Sequence, residues 1–323
     1  MPTQDRCVML GKLLVVKVSV VCAALLFGCA APDLRPFAES SKTLDITVVT
    51  GGDLAIKPLT RERHWDGTKF VPPDDPNHPS RALGRSWELR RQTMEAVLVY
   101  SASLAAINEA AANRKENAAE LVASVKELAS NVPGLSVGTS AVGDLIVSGL
   151  GVVVEIKAWN DMKRAIEAGN PAIQLVAKAL EEDFLALSNL FESRQLDQII
   201  QKENELRPVQ RFYDEVQKNI KAERSKAETG AVPAAVSSEL VRLSDVLATV
   251  EAERNRLQRE KSDLEAQLEE GKAFFTAATK AIEAWANAHA DLVKALEQSR
   301  APNLVVLAAR AQELNEIVAK LRQ

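Results

Sequence analysis

The stretch LSDVLATVEAERNRLQREKSDLEAQLEEGKAFFTAATKAIEAWANAHADLVKAL, residues 243–296, decides the fold. Positions 243, 247, 250, 254, 257, 261, 264, 268, 271, 275, 278, 282, 285, 289, 292 and 296 alternate steps of four and three without a slip, and twelve of these sixteen are apolar. Leu243, Leu247, Val250, Leu257, Leu264 and Leu268 open the series, and Phe275, Ala278, Ile282, Trp285, Leu292 and Leu296 continue it. A seven-residue repeat held this long places one apolar seam along a helix and predicts a coiled coil. At 1.5 Å per residue, Pro233 to Arg300 would extend about 100 Å.

A helix of that length needs a partner, and the residues just before it supply one. Leu206, Val209, Tyr213, Val216 and Ile220 recur at steps of three and four, and Thr229-Gly230-Ala231-Val232-Pro233 has the composition of a turn between helices. Folding back near residue ~231 would set Leu257 beside Glu205 and Leu206, and Leu292 beside Pro171, because antiparallel partners of equal rise stay in step. Residues 171–300 are therefore expected to form a long antiparallel coiled-coil hairpin, kinked at Pro208, where an amide donor is missing. Arg254 and Lys261 interrupt the apolar seam and should meet acids on the facing arm, with Asp197, Glu203 and Glu205 nearest. His289, also on the seam, reads as a hydrogen-bonded seam residue.

Upstream, Gly169-Asn170-Pro171 reads as a helix end followed by a new start. From Ser86 the spacing of Leu89, Met94, Val97, Tyr100, Leu104 and Ile107 predicts a helix, and Leu121, Val125 and Leu128 continue its face. Residues 133–154 are apolar and Gly-rich. Residues 64–80 hold four prolines without periodicity and read as a loop. The segment 33–49 is ambiguous: Phe37, Ser41, Leu44 and Val48 fit a helix, whereas Leu44, Ile46 and Val48 alternate like a strand before Gly51-Gly52; the helix is the preferred reading. Residues 44–56 thus stay open between helix and β-hairpin. A last helix is expected from Pro302 to Leu321. The organisation is then 37–168 as a helical bundle region, 171–300 as the hairpin and 302–323 as a C-terminal helix. The fold class is all-α, an elongated helical bundle with a projecting coiled-coil hairpin.

Composition agrees. Aromatics make up 4% of the 323 residues, and Ala, Leu, Glu and Lys dominate, which favours helices over a β-sandwich. The net charge of -4 offers no basic excess for nucleic acid. Cys7, Cys22 and Cys29 are the three cysteines, so residues 30–323 hold neither a disulfide framework nor a Cys-based zinc site.

The N-terminus carries the sharpest motif. Arg6, Lys12 and Lys17 precede or enter the apolar run Val18–Phe27, and the start could be Met1 or Met9. Ten residues are too few to cross a hydrocarbon core that needs about 20, but they suit the apolar region of a signal peptide. Leu26-Phe27-Gly28-Cys29 ends the run and resembles the lipobox of bacterial lipoproteins. That resemblance implies a signal peptide over 1–28, cleavage between Gly28 and Cys29, and a covalent diacylglycerol and N-acyl chain on Cys29, with 29–36 as the lipidated tether. Ala30 after the cysteine implies, by the same resemblance, the periplasmic face of an outer membrane. Acyl chains bury about 0.8 kcal/mol per methylene, so two or three give lasting attachment. The alternative is a plain signal peptide cut after Ala30, leaving a soluble periplasmic protein. Without residues 1–28 the chain has 37 basic and 43 acidic side chains, a net -6. Beyond the lipobox, Trp87-Glu88-Leu89-Arg90, Met94, Tyr100-Ser101 and Leu104, with the Gly-rich stretch into Pro171-Ala172-Ile173, resemble uncharacterised helical lipoproteins of Gram-negative bacteria, which implies no activity.

Three motifs that could carry chemistry are discounted. Gly134-Leu135-Ser136-Val137-Gly138 matches a nucleophile elbow, which works only on a strand-to-helix turn with a downstream histidine, and the one downstream is His289 on the seam. Gly138 to Gly143 has the glycine spacing of a phosphate loop but continues Asp144-Leu145, lacking its lysine and hydroxyl. His64, Asp66, Asp74, Asp75 and His78 share a loop without metal-ligand spacing. The acidic runs Glu181-Glu182-Asp183 and Asp214-Glu215 read as solvated helix faces. These residues lead to a non-enzymatic protein without cofactor or metal: a scaffold or interaction module tethered to the membrane, with an unidentified protein partner along its helical faces and an open oligomeric state. The competing reading is a membrane-active, pore-forming-toxin-like protein that uses residues 133–154.

Overall fold

The computed structural model describes residues 33–61, 64–65, 70–72, 75, 79–109, 123, 159–228, 234–298 and 300–322. Among the described residues the protein is all-α. Helices α1 (Arg35–Arg61), α2 (Pro79–Glu109), α3 (Trp159–Glu228), α4 (Ala234–Gln298) and α5 (Val305–Leu321) are joined by one short pairing of β1 (His64–Trp65) with β2 (Phe70–Val71). That pairing is antiparallel, with His64 opposite Val71 and Trp65 opposite Phe70, inside the segment expected to be a loop.

The ambiguity at 33–49 resolves as helix, for a visible reason. A strand would put Leu44, Ile46 and Val48 on one face. Instead Phe37, Ser41, Leu44 and Val48 are buried to the last ångström while Ile46 is 51% exposed, which is the 3.6-residue stripe. Asp33 caps the start, its Oδ1 accepting the Arg35 N–H at 3.0 Å. Helix α1 then runs through Gly51-Gly52 instead of turning there. Helix α2 starts at Pro79, ahead of the expected Ser86, with proline in the first turn where its missing donor costs nothing.

The larger departure is at Gly169-Asn170-Pro171. The sequence reads as a helix boundary, yet α3 continues through it for 70 residues, from Trp159 to Glu228. Pro171 denies the Glu167 carbonyl its usual donor, and burial outweighs that loss: Ile166, Ala172, Ile173, Val176 and Leu180 are all buried. The Asn170 side chain is committed to His289 rather than to capping, at 3.0 Å. Pro208 also lies within the uninterrupted span.

The described chain packs as two compact units. The first comprises 33–49, 89–109, 159–183 and 279–314. Its centre is Trp285, stacked on Phe37 at 6.4 Å and edge-on to Tyr100 at 6.4 Å. Here α3 and α4 run antiparallel: Gln174 Nε2 donates to the Ala286 carbonyl at 2.7 Å, and Asn170 meets His289. Between α4 and α5 the turn is tied by Asp291, whose Oδ2 accepts the Asn303 N–H at 2.6 Å and the Arg300 Nη1 at 3.0 Å. Asn303 in turn caps the Val305 N–H at 3.2 Å, so α5 begins at Val305 rather than at the expected Pro302.

The second unit comprises the described parts of 50–88, 184–278 and 315–322. An aromatic cluster fills it: Phe275 lies 5.5 Å from Phe191, 5.2 Å from Phe274 and 6.4 Å from Phe184, and Phe184 meets Trp87 edge-on at 6.4 Å. Each such ring contributes roughly 1.5–3 kcal/mol on burial. Two glycines admit these rings against backbone. A Cβ on Gly52 would stand 2.0 Å from Trp87, and one on Gly51 would stand 2.2 Å from Phe274. Farther along, Glu192 pairs with Lys272, Lys202 with Glu260 and Tyr213 with Arg254, while Val216 and Ile220 cluster with Leu243. These pairs, like those of the first unit, are placed symmetrically about residue ~231, the fold-back point expected from equal helical rise.

Candidate functional site

The lipobox residues Gly28 and Cys29 lie outside the described residues, as do Ser136 and its glycines, the 138–143 loop and the Gly-rich 133–154 stretch. Of the proposed loop ligands, Asp75 alone has a described side chain, and no cluster of metal-ligating side chains occurs among the described residues. No helix among them is long and apolar enough to cross a membrane.

All sixteen seam positions of α4 are buried or half-buried. Leu243, Val250, Leu257 and Leu268 are buried, and Leu247 and Leu264 are half-buried. The seam cations depart from expectation. Arg254 does not reach Asp197, Glu203 or Glu205; its guanidinium lies 4.1 Å from the centroid of the Tyr213 ring. Lys261 pairs with Glu265 on its own helix at 3.3 Å. A flat guanidinium can stack on an aromatic face, here with Nη2 donating to Asn255 Oδ1 at 3.2 Å and Nε buried without a hydrogen-bond partner, and for Lys261 an acid four residues away on the same helix is in reach. Next to these two positions the ion pair between the helices runs the other way, from Lys202 of α3 to Glu260 of α4 at 3.0 Å. Lys202 also reaches Glu205, and these two acids hold its ammonium above its ordinary pKa.

His289 is a hydrogen-bonded core residue. Its Nε2 lies 2.6 Å from the Tyr100 hydroxyl and its Nδ1 lies 3.0 Å from Asn170 Oδ1. Because a carbonyl oxygen only accepts, Nδ1 carries the proton and Nε2 accepts from tyrosine. Complete burial pushes the imidazole down to about 3 and raises the Tyr100 hydroxyl, so both stay neutral. The arrangement locks one tautomer and joins α2, α3 and α4.

Other polar groups went unread in the sequence. Arg90 and Asp183 form a buried ion pair with two contacts between guanidinium and carboxylate. This corrects the reading of Glu181-Glu182-Asp183 as a solvated face: Asp183 is fully buried, whereas Asp214 and Glu215 are exposed. The signal was position, not charge. Asp183 falls on the stripe of Val176, Leu180 and Leu187, and Arg90 on that of Trp87, Met94 and Val97, so each apolar face carries one charge of opposite sign. Asp45 is buried as well, with an Oδ1 that has no hydrogen-bond partner. Burial, and then the Glu95 carboxylate, push it up to about 6, against the pull of Arg91.

Outside the seam, α3 keeps apolar side chains in solvent: Leu185 is 62% exposed, Leu196 41% and Ile200 55%. At 100° per residue these three fall within an arc of about 60°, whereas Leu190 and Phe212, also exposed on α3, lie on other faces. Val305 and Val306 stand exposed on the first turn of α5. Comparisons with protein-family models, curated proteins and solved structures return no match for this chain.

Proposed function

We propose that the chain is a non-enzymatic helical lipoprotein, held by acyl chains on Cys29 at the periplasmic face of an outer membrane and presenting its helical faces to a protein partner. The observation that carries the binding half is the exposed stripe Leu185, Leu196 and Ile200. The seam of α3 is already filled by α4, so a second apolar line on the same helix adds nothing to that pairing. Lines of this kind mark interaction surfaces. The anchor rests on the Leu26-Phe27-Gly28-Cys29 motif, and no cysteine follows residue 29.

Two measurements test it together. Mass spectrometry of the N-terminus purified from membranes should find Cys29 as the first residue, carrying the mass of a diacylglycerol and an N-acyl chain. A chain beginning at Ala31 and soluble in the periplasm would overturn the anchor. A photo-crosslinking residue at Leu196 or Ile200 should capture one discrete partner, and the same residue at exposed Gln201 should capture much less. Equal capture from both faces would overturn the binding surface, and leakage of dye from protein-free vesicles on adding the chain would favour the membrane-active reading instead.

A further inference from the structure

The stretch 301–309, APNLVVLAA, is uncharged over nine residues and bounded by Arg300 and Arg310. In the structure it forms the turn into α5 and that helix's first turns, and Ala301, Val305, Val306, Ala308 and Ala309 are exposed. Val305, at 74%, is the most exposed large hydrophobic residue among those described. Both arginines have acids to hold them, Arg300 at Asp291 and Arg310 at Glu313, so they border the patch in fixed places.

Where this patch lies matters more than its size. Phe37, one turn into α1, sits 6.2 Å from the His289 ring. Two residues on, Asp291 binds the Asn303 backbone, and Asn303 caps Val305. The start of α5 and the start of α1 therefore share one end of the first unit. Cys29 precedes Asp33 by four residues, and an extended chain covers at most about 3.5 Å per residue, so an acylated Cys29 is within roughly 14 Å of that end.

We propose that residues 301–309 rest on the lipid surface to which Cys29 tethers the chain, with Val305 and Val306 entering the headgroup region and Arg300 and Arg310 beside the phosphates. The occupant is a bilayer because the tether places one there and because the patch joins apolar side chains to flanking arginines, the pattern of interfacial segments. This inference deepens the lipoprotein reading and rests on it.

The test uses the full acylated chain in vesicles of phosphatidylethanolamine and phosphatidylglycerol. Acylation blocks Cys29 and the mature chain has no other cysteine, so Val305→Cys offers a single thiol for a fluorophore. Ile46→Cys is the control: equally apolar, half exposed, and about 16 Å farther along α1 from Arg35. Lipid-borne quenchers should dim the label at 305 several-fold more than at 46. Adding Val306→Asp should shift the equilibrium between docked and undocked patch on the tethered chain by about tenfold, from the lost burial of valine area. Equal quenching at both positions, with Cys29 shown by mass to be acylated, overturns the surface contact and leaves the anchor standing. An unacylated Cys29 overturns both. A crosslink from position 305 to a protein, without lipid quenching, assigns the patch to that partner and overturns the inference.

Discussion

Replacing Gly52 by alanine should destabilise the protein, and replacing Gly169 by alanine should stabilise it, although both glycines sit inside helices. Alanine gains about 1 kcal/mol over glycine in a helix interior, so each substitution starts from the same favourable term. At Gly52 the new methyl would stand 2.0, 2.2 and 2.6 Å from three atoms of the Trp87 ring. That ring has little room to retreat, because its Nε1–H donates to Asp53 Oδ1 at 2.8 Å and its edge meets Phe184. Lys57 holds the same Asp53 carboxylate at 2.5 Å. Overpacking costs about 1–3 kcal/mol and a lost hydrogen bond about 1 kcal/mol more, so the net loss at Gly52 should be about 1–3 kcal/mol. At Gly169 nothing stands within 4 Å of the added methyl, which leaves a net gain of about 0.5–1 kcal/mol. Urea unfolding followed by far-UV circular dichroism measures both. A Gly52→Ala protein as stable as its parent would refute the close packing of α1 on Trp87. A destabilised Gly169→Ala would mean that this glycine ends a helix, as its neighbours Asn170 and Pro171 suggest in the sequence, and that α3 is broken there.

Asp45 titrates at about 6 in the fold against an ordinary 3.8, so the folded protein takes up its proton more readily and loses stability as pH rises from about 4 through 6. Asp45→Asn should therefore add about 1–2 kcal/mol near neutral pH and almost nothing near pH 4, and an equal gain at both in thermal melts would refute the buried carboxylate. Asp183→Leu leaves the Arg90 guanidinium in the core without its carboxylate and should cost about 3–5 kcal/mol, whereas Arg90→Met with Asp183→Leu should recover most of that loss; a double variant as unstable as the single one would show that the two do not act as a pair.

The long helices were legible because a seven-residue repeat over 54 residues constrains far more than any local preference does. The fold-back point followed from equal rise alone, and Tyr213, Val216 and Ile220 are buried where that reading put them. Punctuation failed where local chemistry and burial disagreed. Gly51-Gly52 and Gly169-Asn170-Pro171 carry the residues of turns, but in the first case the glycines make room for Phe274 and Trp87, and in the second the apolar residues on both sides are buried together. Charge was read by composition when its angle on the helix mattered: Asp183 belongs to an apolar stripe and its neighbour Glu182 does not. The seam cations failed for a related reason, since a sequence shows which acids lie opposite but not that Tyr213 or Glu265 is nearer. Of the candidate site, the lipobox was legible only as a motif, and Cys29 lies outside the described residues. Exposure of Val305 and Val306 had no sequence signature, because an apolar pair at a helix start reads as core until its surroundings are known.

An apolar seam alone specifies register poorly, since sliding one heptad would exchange leucines for leucines along much of α4. The polar members remove that freedom. His289 needs Asn170 on one side and Tyr100 on the other, and Lys202 needs Glu260. Arg254 needs the Tyr213 face, and Gly271 needs Phe191, whose ring would stand 2.2 Å from a Cβ at that position. A slip of seven residues would bury the imidazole and the guanidinium without these partners and drive the Phe191 ring into a side chain, each at a cost of roughly 1–3 kcal/mol. The apolar seam residues, aromatic and aliphatic together, thus supply most of the stabilisation of the α3–α4 pairing, and a few polar and small residues decide which of several similar pairings is formed.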